Sequence, residues 1–300
     1  MGAMTLSPVG AITQEPVSWG EELVFHTFSI AAVDRGTGES GVAVTTRVAC
    51  VGNGVPWVRA GVGAVATQAS TRVAYGDELL DLLERGVAPE RALRDAMASD
   101  SLAERQGAVI SLDGRSAQHT GSRTNPWTGH RAGPNYVTQG NGLVGAQVIA
   151  AVAASFEASA GSGRHLGDRL IEALEAGQFA GGDQRKGRIQ SAAVRVADPR
   201  AGFSRRPDGV TTFISVCEHD TPVREVRRIY NTVSETLGFR PLQRFDGGDI
   251  RQLRIILQAL ALVPLDLTPG AEGFDEYDRV MMDAIDDFRR SQGLAVFPRS

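Results

Sequence analysis

The run TFSIAAVD at residues 27–34, followed by Arg35–Ser40 and then GVAVTTR at 41–47, decides how the chain is read. Both runs are rich in β-prone residues and alternate in character, as strands do. The two glycines between Arg35 and Ser40 supply the conformational freedom of a hairpin connection. A strand repeats every two residues, so Thr27 and Ser29 share one face. Residues 61–68 (GVGAVATQ) read as a third strand whose small side chains permit close packing.

Further along, the period changes. Tyr75, Leu79, Leu82 and Leu83 fall on one face of a helix. Gly86 ends it, and Pro89 opens a second near its first turn. Residues 107–111 and 115–120 flank an Asp113-Gly114 turn, a hairpin signature. A short strand is expected at 135–139, helices at 145–159 and 164–176, and strands at 189–196 and 211–217. Strands in hairpins, then paired helices, then strands again favour an α+β fold with antiparallel sheets over a doubly wound one.

The C-terminal part differs. A helix is expected over 221–238, with Thr221 as cap and Pro222 in its first turn. Asp249 is read as the cap of a helix over 250–262, and a last helix spans 274–291. This gives four segments: a tag scar and extension at 1–24, a main domain at 25–220, a helical linker at 221–244 and a small, mainly helical domain at 245–300. A unit of that size is marginal alone.

Composition narrows the function. The 300 residues are 42% hydrophobic with a net charge of −4, enough for a core and giving no basic field for nucleic acid. No run approaches a membrane span and residues 5–24 do not read as a secretory signal, so no membrane partner and a cytoplasmic location are expected. The two cysteines, Cys50 and Cys217, are expected to be buried thiols, with no metal-ligand spacing and no cofactor implied.

Five strings are specific: HTFSIAAVD (26–34), GVPWVRAGVGAVATQA (54–69), HTGSRTNPWTGHRAG (119–133), TQGNGLVG (138–145) and GGDQRKGRIQSAAV (181–194). Together they resemble the domain of unknown function 1028 family, grouped by similarity with the N-terminal-nucleophile hydrolases. The resemblance implies a four-layer αββα sandwich of two antiparallel sheets. Residues 245–295 resemble a peptidoglycan-binding module, with DFRRSQGL (287–294) the strongest match. The expected lack of an export signal makes peptidoglycan contact doubtful and favours a structural or partner role, with a homo-oligomer left open.

The resemblance also implies a chemistry. An N-terminal nucleophile attacks a carbonyl with its hydroxyl while its own α-amine, titrating near pH 8 (roughly 7.7–8.0), takes the proton. Thr27 matches the position, because it opens the first strand. Twenty-six residues precede it, so its nitrogen must be freed by cleavage after His26. Arg47 and Arg59 are candidate cations beside the nucleophile, and Gln68 and Ala69 end the strand expected to carry an oxyanion hole. Asn141, Asp183 and Ser191 are further catalytic candidates. Ser29, His119, Trp127, His130 and Arg185 are candidate substrate contacts. The expected activity is hydrolysis of a small-molecule acyl-amide or peptide-like substrate. The competing expectation is a non-catalytic ligand-binding module with a helical interaction domain.

Overall fold

The strand Thr27–Asp34 (β1) turns back as Glu39–Thr46 (β2), and the two pair antiparallel along their whole length. The computed structural model describes residues 27–98, 100, 103–182, 190–237 and 247–291. In chain order there follow β3 (Pro56–Arg59), β4 (Gly63–Ala69), α1 (Tyr75–Glu84), α2 (Pro89–Met97), β5 (Arg105–Ser111), β6 (Ser116–Thr120), β7 (Gly129–Gly133) and β8 (Tyr136–Asn141). Next come α3 (Ala146–Ala158), α4 (Leu166–Phe179), β9 (Ser191–Ala197), β10 (Val210–Val216), α5 (Pro222–Leu237), α6 (Gly247–Ala259) and α7 (Arg279–Ser291). The strands form two antiparallel sheets, ordered β10-β9-β2-β1-β8-β7 and β3-β4-β5-β6.

Alternation explains how β1 can be apolar on both sides. Phe28, Ile30 and Ala32 join a core with Val152 and Phe156 of α3, Leu170 and Leu174 of α4, and Val226 and Tyr230 of α5. Ala31 and Val33 join a second core between the sheets, with Val42, Val44, Ala64, Ala66, Ala108 and Ile110. A third core sets Val65 and Val109 against Tyr75, Leu79, Leu80 and Leu83 of α1 and Ala92 and Leu93 of α2. Gly76 of α1 touches the Trp57 ring so closely that an added Cβ would lie 2.0 Å from Cδ2. Overpacking of this kind costs about 2–3 kcal/mol. Gly76→Ala is therefore expected to lower the thermal midpoint by several degrees, and an unchanged midpoint contradicts this packing.

Several expectations need correction. The cysteines are not free thiols: Cys50 and Cys217 form a disulfide across a sequence separation of 167. Neither is buried, Cys217 being exposed. Strands β3 and β7 were not expected. Helix α5, expected as a linker, places Val223, Val226 and Tyr230 in the first core. It is also tied by polar contacts. His165 Nδ1 accepts from the Gly167 N–H (3.2 Å) and the Tyr230 hydroxyl (2.7 Å), so its Nε2–H faces Glu39 at 2.8 Å.

At the C-terminal end, α7 starts at Arg279 rather than 274, and Asp249 lies inside the first turn of α6. Leu257, Val263, Met281 and Ala284 form a small core there. Arg254, only 3% exposed, donates to the carbonyls of Phe274 (2.9 Å) and Glu276 (2.8 Å) and pairs with Asp278 (2.7 Å). Among the described residues no helix is long and apolar enough to cross a membrane.

Candidate active site

Strand register places four of the residues in one row across the larger sheet. Ser191 of β9 pairs with Thr46 of β2, Thr46 with Thr27 of β1, and Thr27 with Asn141 of β8. Directly opposed residues point to the same face. Ala31 and Val33 share parity with Thr27, and both lie in the core between the sheets. The space between the sheets is thus apolar at one end and polar at the other, where Thr27 stands.

The polar end is a network of neutral groups. The Thr27 and Thr46 hydroxyls lie 3.0 Å apart. Ser29 Oγ donates to Gln68 Oε1 (2.6 Å), while Gln68 Nε2 reaches the Thr27 carbonyl (3.3 Å) and Gln106 Oε1 (2.9 Å). Asn141 Nδ2 donates to the same Gln106 oxygen (2.8 Å), and Gln106 Nε2 to the Gly140 carbonyl (2.8 Å). All six side chains are buried. Among the described residues, the Oδ1 of Asn141 and Oε1 of Gln139 find no hydrogen-bond partner. Buried acceptors left unmet are uncommon and mark places where a further donor is accommodated.

Thr27 opens onto a cavity of about 320 Å3 lined also by Thr46, Cys50, Val51, Ala69 and Val73. Two of these hold left-handed backbone without being glycine, Cys50 at φ 56° and Ala69 at φ 59°. Such conformations cost energy and persist where the surroundings enforce them, often at functional sites. Here the enforcement is visible. Thr71 Oγ1 donates to the Ala69 carbonyl (2.9 Å) and Arg105 to that of Ser70. On the other wall, Ser191 Oγ accepts from the Val51 N–H (3.1 Å) and donates to the Val48 carbonyl, while the Cys50 N–H meets the Cys217 carbonyl (2.9 Å).

The remaining candidates fall in different places. Arg47 follows Thr46 directly at the end of β2 and is half-buried. Arg59 is at the wrong end of the sheets: its carbonyl lies near Ser40, six residues along β2 from Thr46, roughly 20 Å away at strand spacing. Its guanidinium pairs with Asp81 (2.7 Å) and Glu84 (2.8 Å) of α1. Ser191 contributes through the wall rather than toward Thr27. Trp127 packs against the helical core, and its backbone pairs with that of Leu143.

His119 and His130 are exposed on β6 and β7, and His130 Nδ1 lies 2.8 Å from Thr120 Oγ1. Desolvation, then the nearby His119, lower the His130 pKa, which favours the neutral ring. No group among the described residues is suited to hold a metal. Asp183 and Arg185 lie outside the described residues. Thr46, Gln106 and Gln139 were not anticipated. A signal existed for the glutamines: each shares strand parity with inward-facing alanine or valine, where a long amide is out of place unless it serves a network.

Residues 27–226 match the family described as a family of unknown function, DUF1028. The chain belongs to that family. This DUF1028 chain is 31% identical to a protein from Silicibacter pomeroyi whose crystal structure carries the same family assignment. The match covers 70% of this chain and 86% of that one, with a TM-score of 0.61. No curated protein matches it. The DUF1028 match starts at Thr27, the residue that opens both β1 and the cavity.

The amide network gives a stability prediction for this DUF1028 chain. Gln106→Leu removes the acceptor of the buried Asn141 amide and one of the two acceptors of Gln68 Nε2, and leaves the Gly140 carbonyl without this donor, each lost partner costing about 1–3 kcal/mol. A loss of about 3 kcal/mol in denaturant unfolding is expected. A loss below about 1 kcal/mol contradicts the network as described.

Proposed function

We propose that this chain is an amide-bond hydrolase whose nucleophile is Thr27, acting on a small acyl-amide or peptide-like substrate. The observation that carries the reading is positional. Thr27 is the first residue of a central strand, paired on both sides, facing a cavity among neutral neighbours, and it is where the family match begins. The three stacked cores support reading the fold as a four-layer αββα sandwich of the N-terminal-nucleophile type. For residues 245–300 the reading stays a small helical domain in structural or partner contact.

In the proposed reaction the chain is first cleaved after His26. The Thr27 Oγ then attacks the substrate carbonyl carbon, and its proton passes to the freed α-amine. The C–N bond breaks, the departing amine takes that proton, and an ester to Thr27 remains. Water, deprotonated by the same amine, hydrolyses the ester and releases the carboxylic acid. Asn141 Oδ1, across from Thr27 and without a partner among the described residues, supplies an acceptor for an amine hydrogen. The backbone turned at Ala69 faces the cavity where the oxyanion develops, and fixed N–H groups suit that task. Arg47, one residue past Thr46, is the cation of this scheme.

None of the side chains in the amide network titrates near neutral pH, so the α-amine sets the pH profile. It acts only when unprotonated, so activity is present above its pKa and lost as pH falls through it. Burial lowers an amine pKa, which places this limb at or below about pH 8. Hydrolysis of 4-nitroanilides between pH 5 and 9 should show one such rise, and Thr27→Ser should keep it. A rate flat across that range counts against the mechanism.

A further inference from the structure

We propose that the cavity beside Thr27 is a subsite for a short, uncharged aliphatic acyl group, so that the amides opened here are those of small neutral acids. The inference rests on the reading of Thr27 as nucleophile and adds the substrate class. Val48, Ala49, Val51, Val55, Ala69 and Val73 supply most of the wall, and none of the described residues lining it is charged.

The hydroxyls in the wall are already engaged. Thr46 is paired with Thr27, and Thr71 donates to the Ala69 carbonyl. What faces an occupant is therefore largely methyl surface. Arg47 sits between two lining positions without lining the cavity, and Arg59 belongs to the other end of the molecule. A carboxylate placed here would lose hydration and meet no cation among the described residues that line the cavity, Arg47 serving the α-amine from outside that lining, which is unfavourable.

Size and stiffness limit the chain length. A volume of about 320 Å3 is at the low end of the roughly 300–1,000 Å3 typical of small-molecule sites. Residues 48–51 are held by the Cys50–Cys217 bridge and by both hydrogen bonds of Ser191 Oγ. Such a wall does not swing away to admit a bulkier group. Each buried methylene should raise kcat/KM about fourfold until the cavity is full.

The test is hydrolysis of acetyl, butanoyl, hexanoyl and succinyl 4-nitroanilides by the wild-type protein, alongside saturation-transfer NMR of butanamide and succinamate with the same protein. Butanoyl should exceed acetyl by about sixteenfold, and succinyl should fall at least about thirtyfold below butanoyl. Val73→Lys, at an exposed rim position, should narrow the butanoyl-to-succinyl ratio. Turnover with equal or better use of the succinyl compound overturns the subsite while leaving the nucleophile standing. Binding of butanamide but not succinamate, with no anilide turned over, supports the subsite and removes the nucleophile reading. Neither binding nor turnover removes both.

Discussion

Thr27→Ala is expected to lower kcat for amide hydrolysis by at least about a thousandfold while leaving the protein folded. Deleting the nucleophile of an acyl-transfer site removes covalent catalysis outright, and what remains comes from binding and the oxyanion donors alone. The stability cost is small by comparison. One buried hydroxyl contact with Thr46 is lost, at about 1 kcal/mol. Rates on a 4-nitroanilide, with circular dichroism to confirm folding, separate the two effects. Thr27→Ser keeps a hydroxyl and should lose no more than about tenfold. A Thr27→Ala protein as active as wild type would favour the binding-module alternative or place the chemistry elsewhere.

The Cys50–Cys217 bridge should dominate stability. Closing a loop over a separation of 167 residues gives a chain-entropy ceiling of about 5 kcal/mol, of which about 2–4 is commonly realised. The Cys50→Ser/Cys217→Ser double variant is expected to melt roughly 10 °C lower than wild type. A strong reductant on wild type should produce the same shift, since Cys217 is exposed. Equal midpoints for both proteins under oxidising conditions contradict the pairing.

What could be read from the sequence was mostly local. TFSIAAVD and GVAVTTR announce a hairpin through alternation and glycine placement, and the pairing of Thr27 and Ser29 on one face follows from strand parity alone. Helix α1 shows in the spacing of its apolar residues, α2 in the proline that opens it, and α3 and α4 in runs rich in alanine and leucine. The strands that escaped notice have no such pattern. PWVR is four residues with a proline, and GHRAG is exposed at a sheet edge with a glycine at each end. Both are strands because a neighbour supplies the ladder, which propensity does not record.

The site was legible only where it is linear. Thr27 and Asn141 were named, yet the row joining them to Thr46 depends on register between strands distant in sequence. Arg59 was drawn toward the site by its motif. The structure turns it to Asp77, Asp81 and Glu84, an acidic face that α1 presents at helical spacing. The disulfide joins two cysteines separated by most of the chain, a distance over which neither composition nor spacing speaks.

The claim at the centre is that a threonine inside the translated chain becomes a chain end. Intact mass and N-terminal sequencing of the catalytically active protein address it directly. The account predicts a polypeptide beginning Thr27-Phe28-Ser29. Active protein that uniformly retains the peptide bond between His26 and Thr27 contradicts it, because a nitrogen held in an amide cannot take the hydroxyl proton.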